Sequence, residues 1–155
     1  MKTLIAYFSW SNNTKGIVEE VNKFFNFDIL RIERKIPYSN NYHQCAYVEA
    51  KNEIDNHIYP EIKDINADLN DYSRILLFFP IWWYTFPMPI GSFIKKLNNY
   101  KGEVILFSNS YTNDIQYVKN SYNDALQLNS NINFKNGLFN KSINDHIDFI
   151  KNLNN

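Results

Sequence analysis

The run Ile75-Leu76-Leu77-Phe78-Phe79 constrains this chain more than any other feature. Five large apolar residues with no polar alternation describe a strand covered on both faces, which demands a sheet enclosed between layers. Pro80 follows, and a proline cannot donate to a ladder, so the strand is expected to end there. A second such run is Thr3-Leu4-Ile5-Ala6-Tyr7-Phe8, and residues 103–108 make a third. After the second run, polar residues 9–14 lead into Ile17, Val18, Val21, Phe24 and Phe25, which recur at helical spacing.

The remaining pattern repeats this alternation. Residues 28–33 read as a short strand, Pro37 to Asn41 as a loop, and residues 42–54 as a helix that Pro60 interrupts. Pro87 and Pro89 suit the first turn of a helix whose apolar face includes Ile90, Phe93, Ile94 and Leu97. A helix within 114–128, a short last strand at 132–134 and an amphipathic helix at 142–153 complete the chain. Strands alternating with helices predict parallel βαβ units. The expected fold is therefore α/β, a three-layer sandwich with a roughly five-stranded parallel sheet and helices on both faces. No repeat, linker or second boundary is visible, so residues 1–155 are expected to form one domain.

Composition narrows the function classes. Lys plus Arg and Asp plus Glu balance at 16 each, which argues against a strongly basic nucleic-acid binder. A lone cysteine, Cys45, cannot form an internal disulfide, and this fits a reducing compartment. The apolar N-terminal run is too short for a signal-peptide core or a membrane span, so a soluble cytoplasmic protein is expected. His43, His57 and His146 show no metal-like spacing, and no metal site is expected.

In a doubly wound sheet, ligands sit beyond the carboxyl ends of the strands where the strand order reverses, which draws attention to three loops. The first is Ser9, Trp10, Ser11, Asn12, Asn13 and Thr14, between a buried strand and a helix. A helix N-terminus presents unpaired N–H groups and the positive end of its dipole, and hydroxyls of Ser9, Ser11 and Thr14 add donors for phosphate oxygens. The same residue types favour ordinary N-caps, so this loop alone fits either reading. It lacks the glycines of a Walker loop or a dinucleotide fingerprint.

The second loop is Pro80, Ile81, Trp82, Trp83, Tyr84 and Thr85, continuing through Phe86 to Pro89. Four aromatic rings within five residues at a sheet edge suit a planar, partly apolar ligand such as an isoalloxazine. The alternative for any single ring is packing into the core. The third loop, beginning Ser108, Asn109, Ser110 and Tyr111, brings hydrogen-bonding groups that would close over the polar end of such a ring. Taken by itself it is an ordinary helix-capping loop.

These motifs resemble the flavodoxin family, and closely its branch with a Pro-Ile-Trp-Trp segment. Tyr7-Phe8-Ser9-Trp10-Ser11-Asn12-Asn13-Thr14-Lys15 is similar to the family's hydroxyl-rich phosphate loop, with Asn12 where glycine is usual. Tyr72-Ser73-Arg74-Ile75 leading into Pro80-Ile81-Trp82-Trp83 is the second match, followed by Pro87-Met88-Pro89-Ile90, Lys101-Gly102 and Gly137-Leu138. The resemblance covers essentially the whole chain. It implies one FMN, its phosphate held by the first loop, its flavin contacted by residues 80–85 and enclosed by the loop from Ser108. Asn tolerates a left-handed backbone, so the first loop is expected to keep its shape.

The resemblance implies electron transfer through FMN, with redox partner proteins or a small-molecule electron donor and acceptor. The alternative is an FMN-dependent NAD(P)H or quinone oxidoreductase, which the zero net charge leaves open because many dedicated carriers are acidic. A monomer or homodimer is expected. A receiver domain lacks its acidic cluster here, and a cysteine phosphatase lacks a nucleophile in the first loop. Tyr38 and Tyr42 read as ordinary exposed loop tyrosines, with a place on a flap near the ligand as the alternative.

Overall fold

The computed structural model describes residues 2–153. Its strands are β1 (Lys2–Tyr7), β2 (Asp28–Arg31), β3 (Tyr72–Pro80), β4 (Glu103–Asn109) and β5 (Asn133–Phe139). They form one sheet ordered β2-β1-β3-β4-β5, with every neighbouring pair parallel.

Alternation along the three central strands divides the core into two halves. Ile5, Tyr7, Leu76, Phe78, Ile105 and Phe107 point to one face, where α1 (Asn13–Phe25) and α5 (Ile143–Asn152) cover them. Leu4, Ala6, Ile75, Leu77, Phe79, Val104 and Leu106 point to the other, beneath α3 (Met88–Lys95) and α4 (Gln116–Leu128). Phe78, Phe79, Phe93 and Phe107 are almost wholly buried, each contributing about 2 kcal/mol by removal of apolar area from water. Phe78 and Phe107 are register partners whose rings stack at 4.5 Å. His146 of α5 lies against both rings, at 5.9 and 5.7 Å, with Nδ1 2.7 Å from the Ser142 carbonyl. Burial lowers its pKa, favouring the neutral ring. A Cβ on Gly137 of β5 would come within 2.8 Å of the Phe107 ring, so this close approach requires glycine.

The three-layer sandwich with five parallel strands agrees with the sequence reading, and several boundaries are corrected. β3 starts at Tyr72 and includes Pro80 as its last residue, after which the Ile81 N–H donates to the Asn109 carbonyl at 2.9 Å. β5 extends to Phe139, well beyond 134, because an edge strand accepts the polar Lys135 and Asn136 that a central strand would not. The helix expected over 42–54 is a π-helical stretch, Gln44–Ala50, that passes into α2 (Lys51–Asp55) and stops before Pro60. Leu97 is buried but lies past the end of α3. Ser108 and Asn109 belong to β4, not to the loop after it. Among the described residues no helix is long and apolar enough to cross a membrane.

Candidate functional site

β1 has β2 on one side and β3 on the other, so the order reverses there and the loops leaving β1 and β3 diverge. A cleft of about 670 Å³ opens at this carboxyl edge. Its wall is made by the loop before α1, the turn after β3, the end of β4 and the π-helical stretch.

The β1–α1 loop is shaped by Asn12, whose φ of 67° and ψ of 8° place it in the left-handed region. The Gly16 N–H bonds to the Asn12 carbonyl at 3.0 Å, closing the first turn, and the Lys15 N–H bonds to Ser9 Oγ at 3.2 Å. The amides of Asn13 and Thr14 precede any intrahelical acceptor and stay available to an incoming anion. The side chains of Asn13 and Thr14 are tied to β4: Asn13 Nδ2 donates to Asn109 Oδ1 at 3.3 Å, and Asn109 Nδ2 donates to Thr14 Oγ1 at 3.0 Å. Asn109 thus joins the first and third predicted segments.

Residues 82–85 form a two-residue turn, with the Trp82 N–H on the Thr85 carbonyl at 2.8 Å and the Thr85 N–H on the Trp82 carbonyl at 3.3 Å. Its central residues, Trp83 (φ 50°) and Tyr84 (φ 73°), both have left-handed φ, where Asn and Gly are usual. Three side-chain bonds from distant segments hold the turn. Trp83 Nε1 donates to the Ala46 carbonyl at 2.8 Å, Asn120 Nδ2 to the Tyr84 carbonyl at 2.9 Å, and Thr85 Oγ1 to Asp124 Oδ2 at 2.6 Å. Trp82 packs edge-on against Phe8 at 5.2 Å and Tyr38 at 5.4 Å, giving the floor of the cleft a fixed aromatic base.

Of the sixteen predicted residues, thirteen line the cleft and three do not. Asn12 shapes the backbone with its side chain turned outward, Thr85 is buried against α4, and Ser108 is in β4. Ser110 receives order from Asn140, whose Oδ1 accepts its N–H at 2.7 Å, while the Tyr111 side chain is fully exposed.

The flap contributes what the sequence reading largely missed. Tyr42, which reads in the sequence as an ordinary loop tyrosine, reaches the cleft, joined by Cys45, Ala46, Tyr47 and Ala50. Tyr47 meets the Trp83 ring edge-on at 5.3 Å. π-Helical turns recur at functional sites, but a helical periodicity does not announce one. Cys45 is buried, and burial pushes its thiol up to about 12, so it stays protonated. Tyr38 lies below the cleft instead of on its wall. Its hydroxyl donates to the buried Glu53 carboxylate, Arg34 pairs with that carboxylate at 3.4 Å, and the guanidinium covers the Tyr38 ring at 4.3 Å. Burial raises the Glu53 pKa, opposed by the Tyr38 bond and the Arg34 charge. Among the described residues no cluster of His, Cys, Asp or Glu suits a metal ion.

Comparison with solved structures finds the same architecture. A flavoprotein from Lactobacillus acidophilus NCFM, solved in complex with FMN, aligns with TM-score 0.79 and 24% identity over 96% of this chain and 98% of that one. The apo-form of the flavoprotein from the same organism aligns at 0.68 and 27% identity, covering 91% and 92%. General stress protein 14 from Treponema denticola, in complex with FMN, aligns at 0.51 and 13% identity, covering 99% and 98%. Among curated protein sequences there is no match. The family model described as flavodoxin matches residues 2–153, and the strand order found here is the one flavodoxins are known for, with the ligand at the β1/β3 reversal. The chain belongs to the flavodoxin family.

Proposed function

We propose that this protein holds one FMN non-covalently in the cleft at the β1/β3 reversal and passes electrons through it. The observation that carries this reading is the pairing of two unlike walls across one opening. A helix N-terminus with free amides and hydroxyls suits a phosphate monoester, and a rigid aromatic turn suits a planar ring. The donor chemistry fits: Ser9, Ser11 and Thr14 supply hydroxyls and Asn13 an amide, and the described residues of the wall include no carboxylate to repel a dianion. On this reading Trp82, Trp83, Tyr84 and Ile81 bound the ring, and Asn109, Ser110 and Tyr111 flank its polar end.

When bound, FMN supplies one- and two-electron redox chemistry; the protein orients it and sets its environment. Trp82 is held from below by Phe8 and Tyr38, so the ring-binding surface is in place before the cofactor arrives. Among the described residues that line the cleft there is no Asp or Glu, and Lys141 is the one charged residue.

That same lining favours a second reading, an FMN-dependent NAD(P)H or quinone oxidoreductase. Exposed rings of Tyr42, Tyr47, Tyr84 and Tyr111 line the cleft, and the described lining residues include no carboxylate to steer a basic protein partner. A visible-absorbance titration with FMN, followed by anaerobic addition of NADH or NADPH, tests both. Shifted flavin bands that neither nucleotide bleaches support a carrier, rapid bleaching supports the oxidoreductase, and unshifted bands overturn FMN binding.

A further inference from the structure

Arg31 is the last residue of β2, and its parallel partner in the register is Tyr7, two positions before Ser9. The register therefore brings a guanidinium to the back of the β1–α1 loop from a segment remote in sequence. Arg31 Nη2 donates to the Ser9 carbonyl at 3.2 Å and lies 3.5 Å from Asn12 Oδ1, at the outer edge of hydrogen-bonding distance. The guanidinium also covers the Tyr7 ring at 5.7 Å. Glu33 approaches Nε only to 3.9 Å, and that nitrogen makes no hydrogen bond.

These contacts address Asn12, the left-handed residue of the loop. Asn12 occupies the left-handed position where glycine is usual, and a side chain there must be kept from the space the ligand needs. Among residues 9–14 Asn12 alone does not line the cleft. Its side-chain carbonyl faces Arg31 instead. The bond to the Ser9 carbonyl does related work. With that carbonyl held outward, the peptide that follows it presents its N–H to the opposite side, and a charged donor on the carbonyl strengthens that N–H as a donor.

Resting on the FMN reading above, we infer that Arg31 is a positioning residue for the phosphate-binding loop and a determinant of preference for FMN over riboflavin. It acts through Ser9 and Asn12. Because it acts on the phosphate end alone, its removal weakens the phosphorylated flavin and spares the unphosphorylated one, which shares the ring and ribityl chain.

The test is a fluorescence-quenching titration of wild type, Arg31→Gln and Arg31→Lys with FMN and with riboflavin, folding being checked by circular dichroism. Arg31→Gln is expected to weaken FMN about 10- to 100-fold, the size of a lost charge-assisted bond, and to leave riboflavin within about twofold. Arg31→Lys keeps the charge without the planar fork and is expected to recover part of the loss. Parallel loss of both flavins, or no loss of FMN, overturns the inference and leaves Arg31 a packing residue on Tyr7. If Arg31→Gln does not fold, the Lys variant decides by the same criterion: a loss confined to FMN supports the role, and an equal loss or none overturns it. Wild type that binds neither flavin overturns the FMN reading itself, an outcome distinct from all of these.

Discussion

The two walls of the cleft meet the same backbone demand by different means. On the side of the β1–α1 loop one residue, Asn12, lies at φ 67°; on the aromatic side Trp83 and Tyr84 lie together at 50° and 73°. Asparagine enters the left-handed region at little cost, whereas a bulky residue there costs about 1–2 kcal/mol. The Asn12 turn is closed mainly by its chain neighbours, through Gly16 and Lys15, with Arg31 behind it. The Trp83–Tyr84 turn is held by Ala46, Asn120 and Asp124, all more than thirty residues away. A cheap turn is stabilised locally, and a costly one persists only where packed elements over-determine it.

The largest expected effect strikes the tertiary support. Asp124→Ala leaves the buried Thr85 hydroxyl without its acceptor and should cost about 2 kcal/mol in a urea titration. A loss below about 0.5 kcal/mol, the range of an ordinary surface change, would show that α4 does not hold the turn. Next in size, and opposite in sign, is Tyr84→Gly. The ring is 62% exposed and the backbone left-handed, so relief of strain should raise stability by up to about 1 kcal/mol. A clear fall would mean that contact with Tyr117, at 6.1 Å, outweighs the strain, and the contrast between the walls would weaken.

Asn12→Gly probes the other side, where stability should move by only a few tenths of a kcal/mol, since glycine suits both the N-cap and the left-handed position. A loss above about 1 kcal/mol would place the Asn12–Arg31 contact on a par with the supports of the aromatic turn. The last expectation is a pH slope arising away from both walls. His146 has a folded pKa below its ordinary 6.5, so the unfolded chain takes up its proton first as pH falls. Stability is therefore undiminished above 6.5 and declines as pH drops from there through the folded value. The slope of melting temperature against pH should flatten in His146→Phe over that window. An unchanged slope would assign it to other groups.

Much of the architecture was legible because β1, β3 and β4 are apolar on both faces, and their alternation with helical segments points to an enclosed parallel sheet. The segments around Ser9–Thr14 and Pro80–Thr85 were legible for a related reason: each follows one of those strands directly, so their arrival at the carboxyl edge is dictated by connectivity. β5 was underestimated because its polar half is tolerated only at an edge, and edge position is a property of the whole sheet.

What the sequence by itself determined is thus the layered fold, the edge at which the cleft opens and the residue types along its two principal walls. Local order in the chain carries that information: apolar runs, the polar run Asn12 to Thr14 where α1 begins, and a proline where β3 stops. Only the tertiary structure decided that residues 44–50 wind as a π-helix over the cleft, that Asn109 clasps Thr14, and that Arg31 backs the β1–α1 loop. It also turned Thr85 and Asn12 away from the cleft and Tyr47 toward it. Each of these depends on the register between strands and the packing of elements remote in sequence, and a side chain's own chemistry does not specify which distant carbonyl or ring it will meet.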